Sequence, residues 1–129
     1  MRRIITKDTS GRENGWLLPI WHVDSGLKVD QVYLTAVAPK SHKGPHLHMV
    51  RCGRFVCVKG NVRIVIRENG KYRYACSGDR HDFAEIYVAP GCAAAIYNDD
   101  RHEEALVLNM PSPPWRVDEQ DDWLVEDWQ

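Results

Sequence analysis

The chain has no long hydrophobic run. Nothing in it approaches the roughly eighteen consecutive apolar residues that a membrane-spanning helix needs, so no membrane partner is expected. It also lacks an excess of either charge: 17 Lys and Arg against 18 Asp and Glu leave a formal net charge of -1. That balance gives no electrostatic reason to expect nucleic acid as a partner. The four cysteines, Cys52, Cys57, Cys76 and Cys92, include no CxxC pair. The basic opening "MRRIITKDTSG" meets Asp8 before any apolar run, unlike a secretory leader. Reduced thiols in a soluble cytoplasmic protein are therefore expected, not a disulfide scaffold or a zinc ribbon. Repeats and low-complexity tracts are absent, and 129 residues suffice for one domain, 1–129, with its own core.

What the chain has in quantity is short strand-like runs. "GWLLPIW", "QVYLTAVA", "RFVCV", "NVRIVI", "KYRYAC", "AEIYVAP", "AAAIYN" and "ALVLNM" are β-branched or aromatic. Turn-formers separate them at a spacing that predicts an all-β sandwich or barrel of antiparallel strands. Asn69-Gly70 in "ENGK" predicts a type I′ hairpin. After three prolines the character changes, and residues 111–129 form an acidic, tryptophan-rich C-terminal strap, expected to pack its indoles over the barrel mouth or an interface. A short helix from Asp121 is conceivable but too brief and acidic to stand alone.

In "KGPHLHMVRCGRFVCVKG" two histidines stand one residue apart. Residues two apart in a strand point the same way, so His46 and His48 enter the interior together. A zinc, iron or manganese site needs about four protein donors, and the pair is followed by Cys52 and Gly53 with no carboxylate nearby to join it. No metal and no other cofactor is therefore expected. What remains is a pair of imidazoles able to move protons near neutral pH. Lys43, Arg51 and Arg54 cluster around the pair, as recognition of a diphosphate requires. Tyr33 shares a polar strand face with Gln31 and Thr35, and Asn98 lies in phase with Ala94, so both are candidate pocket residues.

"KGPHLH" followed by "RFVCVKG", and then "VAPGCAAAIYN", resembles the two motifs of the cupins. His46, His48 and Gly60 match the first motif, and Pro90, Gly91 and Asn98 match the second. Ala94 stands where the second motif has a histidine. Within the cupins the chain is similar to the metal-free, RmlC-like branch of 3,5-epimerases and 3,4-ketoisomerases acting on thymidine-diphosphate 4-keto-6-deoxy sugars. "DQVYLTAVAPKSHKGPHLH" resembles that branch, with Lys43 in the place of an arginine, and "DDWLVEDW" is similar to the ketoisomerase ending.

The resemblance implies an antiparallel double-stranded β-helix, the jelly-roll cupin barrel, with His46 as catalytic base and His48 as the second catalytic imidazole. It implies a nucleotide-sugar substrate and a homodimer, and Tyr33, Lys43, Arg51, Arg54 and Asn98 are the candidate substrate contacts. Arg54 occupies the position of a substrate-touching lysine. The short chain, and the lack of a tyrosine in "EEALVLNMPS", rank ketoisomerisation above 3- or 3,5-epimerisation. A small cupin that binds without catalysis, and a metal-dependent cupin with unorthodox ligands, remain the other readings.

Overall fold

A computed structural model describes all 129 residues. The strands are β1 (Ile4–Lys7), β2 (Glu13–Leu17), β3 (Tyr33–Val37), β4 (Ser41–Leu47), β5 (Gly53–Lys59), β6 (Asn61–Glu68), β7 (Lys71–Gly78), β8 (Glu85–Val88), β9 (Ala93–Asn98) and β10 (Ala105–Asn109). Two antiparallel sheets, ordered β3-β10-β5-β8 and β4-β9-β6-β7, exchange the chain repeatedly, while β1 and β2 form a separate hairpin. That order is the eight-stranded jelly roll of the cupin barrel, as the sequence predicts. No helix is long and apolar enough to cross a membrane.

Local chemistry accounts for the elements. Asn69 and Gly70 both adopt positive φ, 52° and 76°, in the type I′ turn between β6 and β7. Val62, Ile64 and Ile66 face inward along β6, while Arg63 and Arg67 face outward to Asp99 and to the Glu126 carbonyl. The expected strand through "GWLLPIW" stops at Leu17, because Pro19 offers no N–H to a ladder. Strand β1, which sequence reading misses, pairs with β2. No helix forms after Asp121; the segment has no regular secondary structure and bends at Asp127.

The core lies between the sheets, where Val37, Ile64, Ile66 and Val107 are fully buried. Each such side chain contributes about 1.5–3 kcal/mol relative to exposure. The buried polar groups here are all partnered. Ser77 accepts from the Cys57 N–H at 2.9 Å and donates to the Ala84 carbonyl at 2.6 Å. Burial pushes the Cys57 thiol up to about 11, against a backbone contact with Lys59 that lowers it. That thiol is a core group, not a nucleophile.

Asn98 requires a correction. It shares the inward face of β9 with Ala94, as expected, but it sits four residues further along, about 13 Å at strand rise. It is 2% exposed, and its amide donates to the Val37 carbonyl at 3.0 Å and the Glu103 carbonyl at 2.8 Å. Its side-chain oxygen accepts from the Asp100 N–H at 3.1 Å. It therefore pins the end of β3 and the β9–β10 loop, away from the histidines. Asn98→Ala is expected to lower unfolding free energy by about 1–3 kcal/mol in urea titration and to leave ligand affinity at the histidine pocket unchanged.

Candidate active site

The histidine face depends on an irregularity in β4. Ladder pairing runs Lys43↔Ile96 and then His46↔Ala94, three residues against two, so a bulge sits between them. By simple alternation Lys43 and His46 would face opposite ways. The bulge brings both onto the inner face, while His42 turns outward to stack on Tyr97 with centroids 4.9 Å apart. Gly44 makes the bulge possible: its φ is +96°, and a Cβ there would stand 2.8 Å from the Ala94 carbonyl oxygen.

The cleft above this face has a volume of about 140 Å³. Phe55, Ile64, Val88 and Ile96 form an apolar floor, and Tyr33, Thr35, Lys43, His46, His48 and Arg51 supply a polar wall and rim. Gly53 leaves room for the Phe55 ring, whose nearest atom would lie 2.4 Å from a Cβ at that position. Of the residues expected to act in the site, Tyr33, Lys43, His46, His48 and Arg51 are thus brought together. Arg54 is not. Gly53 and Phe55 face the cleft from β5, so Arg54 projects to the opposite side, its guanidinium 4.8 Å from the centre of the Tyr87 ring. Thr35 lines the cleft beside Tyr33, as their shared face implies, and Cys52 and Cys92 line it too; Asn109 was not anticipated. Asn109, a lone amide in the apolar run "ALVLN", holds the Tyr33 hydroxyl at 2.8 Å while accepting from the Arg54 N–H at 2.9 Å.

The two imidazole rings lie nearly parallel, 9° apart in plane, with centroids separated by 6.1 Å. Lys43 Nζ donates to Thr35 Oγ1 at 2.6 Å. Arg51 Nη2 is 3.3 Å from both ring nitrogens of His48. The guanidinium only donates, so it can bond whichever of the two nitrogens carries the lone pair. Gly91 donates to the His48 carbonyl at 2.7 Å, so the Pro90-Gly91 turn fixes the backbone below the ring.

The strap runs past the two histidines and then over the outer face of the second sheet. The Asp121 carboxylate accepts from three consecutive N–H groups, Met49 at 2.8 Å, Val50 at 3.0 Å and Arg51 at 2.9 Å, and from the Trp123 indole at 3.2 Å. Burial raises the carboxyl's pKa, but the Arg51, Met49 and Val50 amides and the indole outweigh it and hold the group at about 2. The Asp121 carbonyl is hydrogen-bonded to His48 Nδ1, and Asp122 Oδ1 is 3.5 Å from His46 Nδ1. Of the strap indoles, Trp128 is the one held on the sheet: it donates to the Tyr97 hydroxyl at 3.1 Å and packs edge-on against Tyr72. Trp115 and Trp123 remain about half exposed and neither lines the cleft, so of the two placements expected for the indoles, mouth or interface, the mouth is not the one they take here. No strap residue lines the cleft; the strap meets the histidines through Asp121 and Asp122.

A cupin metal centre does not fit these residues. His46 and His48 have no third or fourth donor at the motif positions, and no three His, Cys, Asp or Glu side chains converge to hold an ion. The Cys92 thiol is pushed up by burial and by Glu68, with Arg73 opposing, which keeps it a poor ligand.

The family model "FdtA: WxcM-like, C-terminal" matches residues 7–124. No curated protein matches the chain in sequence. Among solved structures, a dTDP sugar isomerase from Desulfovibrio desulfuricans G20 superposes with a TM-score of 0.78 at 19% identity, over 98% of this chain and 82% of that one. The sugar 3,4-ketoisomerase QdtA from Thermoanaerobacterium thermosaccharolyticum, in complex with TDP, gives 0.67 at 20% identity, over 89% and 78%. The rmlC epimerase of Mycobacterium tuberculosis gives 0.65 at 22% identity, over 88% and 62%.

Because folding lowers the Asp121 pKa, its contribution to stability is complete above the unfolded value of about 3.9 and is lost as pH falls to about 2. The stability difference between the wild type and Asp121→Asn is expected to be constant above pH 4 and to shrink across that window. Paired urea titrations followed by tryptophan fluorescence measure it; a difference independent of pH would refute the latch.

Proposed function

The chain belongs to the FdtA family (WxcM-like, C-terminal), and on that premise we propose that it is a metal-independent isomerase of nucleotide-linked keto sugars. The reaction is a 3,4-ketoisomerisation of a thymidine-diphosphate 4-keto-6-deoxyhexose. The observation that carries the reading is the parallel imidazole pair over an apolar floor, flanked by Lys43 and Arg51. A carbonyl acidifies the proton on the adjacent carbon, and imidazoles are suited to removing it near neutral pH. A proton leaves carbon 3 as the carbonyl oxygen gains one, giving an enediol. The 3-hydroxyl proton then leaves as carbon 4 is protonated. Two protons leave and two are delivered, with no net redox change, so the chemistry asks for no redox cofactor. Lys43 and Arg51 supply the positive charge that a diphosphate seeks at the rim.

Epimerisation at carbon 3, or at carbons 3 and 5, is the second reading. It is favoured by the Tyr33 hydroxyl in the cleft, an acid separate from the imidazole pair.

The test is incubation with the 4-keto-6-deoxy nucleotide sugar in deuterated water, followed by NMR. Label is expected at carbon 3 of recovered substrate and carbon 4 of product, with none at carbon 5. His46→Ala and His48→Ala should each slow exchange by about 100-fold or more with circular dichroism unchanged. Label at carbon 5 would favour the epimerase. Tight binding of the nucleotide sugar without any exchange would overturn catalysis in favour of a binding module.

The functional unit is a homodimer. Ile4, Ile5, Trp16 and Leu17 of the β1–β2 hairpin are each about half exposed, as is Leu34 on β3, the free edge strand of its sheet. A second copy would cover this apolar surface. Sedimentation equilibrium should give a dimer for the wild type and a monomer for Trp16→Glu paired with Leu34→Glu; a monomeric wild type would refute the dimer.

A further inference from the structure

Of the buried residues with a polar side chain, one belongs to the sheet that faces β4. Asn109, at the end of β10, is 3% exposed and lines the cleft beside Tyr33, its ladder partner on β3. An amide has two different ends, and here the neighbours decide which way round it sits. The Arg54 N–H points at the side-chain oxygen at 2.9 Å. A backbone N–H only donates, so the carbonyl end must meet it, and the NH2 end is turned to the Tyr33 hydroxyl at 2.8 Å. Turned the other way, two donors would face each other at Arg54. The Arg54 carbonyl is held in turn by the Met110 N–H at 3.0 Å, so both backbone groups of Arg54 are tied to residues 109 and 110.

An amide NH2 cannot accept, so the Tyr33 oxygen is the acceptor in this contact and its own proton lies elsewhere. The hydroxyl has no second partner in the protein. Its proton is therefore free for a ligand in the cleft that Tyr33 lines.

We propose that Asn109 is a positioning residue: by occupying the acceptor side of the Tyr33 hydroxyl, it makes Tyr33 a hydrogen-bond donor to the carbonyl oxygen of a keto sugar in the cleft. Tyr33 and the histidines belong to different sheets, so the donor comes from the wall facing the imidazoles. Charge builds on that oxygen when a proton leaves the adjacent carbon, and a donor oriented beforehand stabilises it without reorganising during the reaction. This role rests on the keto-sugar reading above, whichever of the two reactions follows, whereas the orientation of amide and hydroxyl does not.

Asn109 also has a structural use, pairing the Arg54 N–H, and Asn109→Asp separates the two. The ionised carboxyl keeps an oxygen for Arg54 at nearly the same shape but has no proton to give, so the Tyr33 hydroxyl donates to it and is lost to the ligand. Once protonated, the carboxyl accepts from Arg54 and donates to Tyr33, which restores the native pattern.

Two measurements on the full chain test the proposal. Neutron diffraction from deuterium-exchanged crystals is expected to show a deuteron on the Asn109 nitrogen directed at Tyr33 Oη, and the Tyr33 deuteron directed away from Asn109. A Tyr33 deuteron pointing at Asn109 overturns the proposal whether or not any sugar is turned over. With the thymidine-diphosphate 4-keto-6-deoxy sugar, Tyr33→Phe should lower kcat by about 100-fold or more. Asn109→Asp above neutral pH should approach the same loss, with KM within about threefold. The ratio of Asn109→Asp to wild-type kcat should climb as pH falls and the introduced carboxyl protonates. Added to Tyr33→Phe, Asn109→Asp should lower kcat no further. Should the aspartate variant not fold, Asn109→Ala frees the hydroxyl to rotate and is expected to lose less than Tyr33→Phe, and nothing in the Tyr33→Phe background. A ratio independent of pH, or a loss that adds to that of Tyr33→Phe, would make Asn109 structural only and overturn the proposal. A wild type with the expected deuterons and no turnover would refute the isomerase reading while supporting the orientation set by Asn109.

Discussion

A single extra residue in β4 decides what the cleft contains. The bulge at Gly44 places Lys43 on the same inner face as His46 and His48, and it depends on a φ of +96° and on backbone packed too closely for a Cβ. Side chains alternate with period two along a strand, so a regular β4 would put either the cation or the imidazoles on the outside. A site that recognises an anion and moves protons on the same molecule needs both on one wall. The Phe55 floor, the Tyr33–Asn109 contact and the Arg51 guanidinium are arranged around the wall that this bulge creates.

The two ends of the barrel divide stability from chemistry. At one end Asn98 turns both of its amide donors and its side-chain oxygen to backbone, pinning the β9–β10 loop and the end of β3. At the other end, Ala94 lies opposite His46 in the ladder and lines the cleft. The cupin motif has a histidine at that position. A methyl group there removes a ligand and leaves volume, so one substitution both disfavours a metal and makes room beside the imidazoles.

Most of the barrel was legible because its strands carry a clean period and its turns carry the right residues: Asn69-Gly70 gave the β6–β7 hairpin, and the alternation in "NVRIVIR" gave the inward face of β6. The histidine pair was legible for the same reason, since spacing of two fixes a shared face. Arg54 was misplaced because β5 is apolar on both faces; Val56 and Cys57 are both fully buried, so parity cannot be read from hydrophobicity alone. Asn98 was placed on the correct face but at the wrong depth, which phase does not encode. The strap was visible only as composition. Its contacts to the histidines span 73 residues in one case, and irregular backbone has no period to announce where it lands.

The missing acid of the first cupin motif takes on a different meaning once the strap is in view. Aspartates do approach both histidines, but each at Nδ1 alone, by a carbonyl at His48 and a carboxylate at His46. A motif glutamate would converge with the imidazoles on a shared ion. Oxygens set against Nδ1 of each ring hold the rings in place instead. The same residue classes thus serve opposite ends according to how they approach, and contact at Nδ1 alone suits proton transfer by the rings themselves. The strap also carries its own latch, since the carboxylate of Asp121 is consumed by the amides of residues 49–51. That carboxylate is therefore unavailable as a ligand, while the carbonyl of the same residue is left in position on His48.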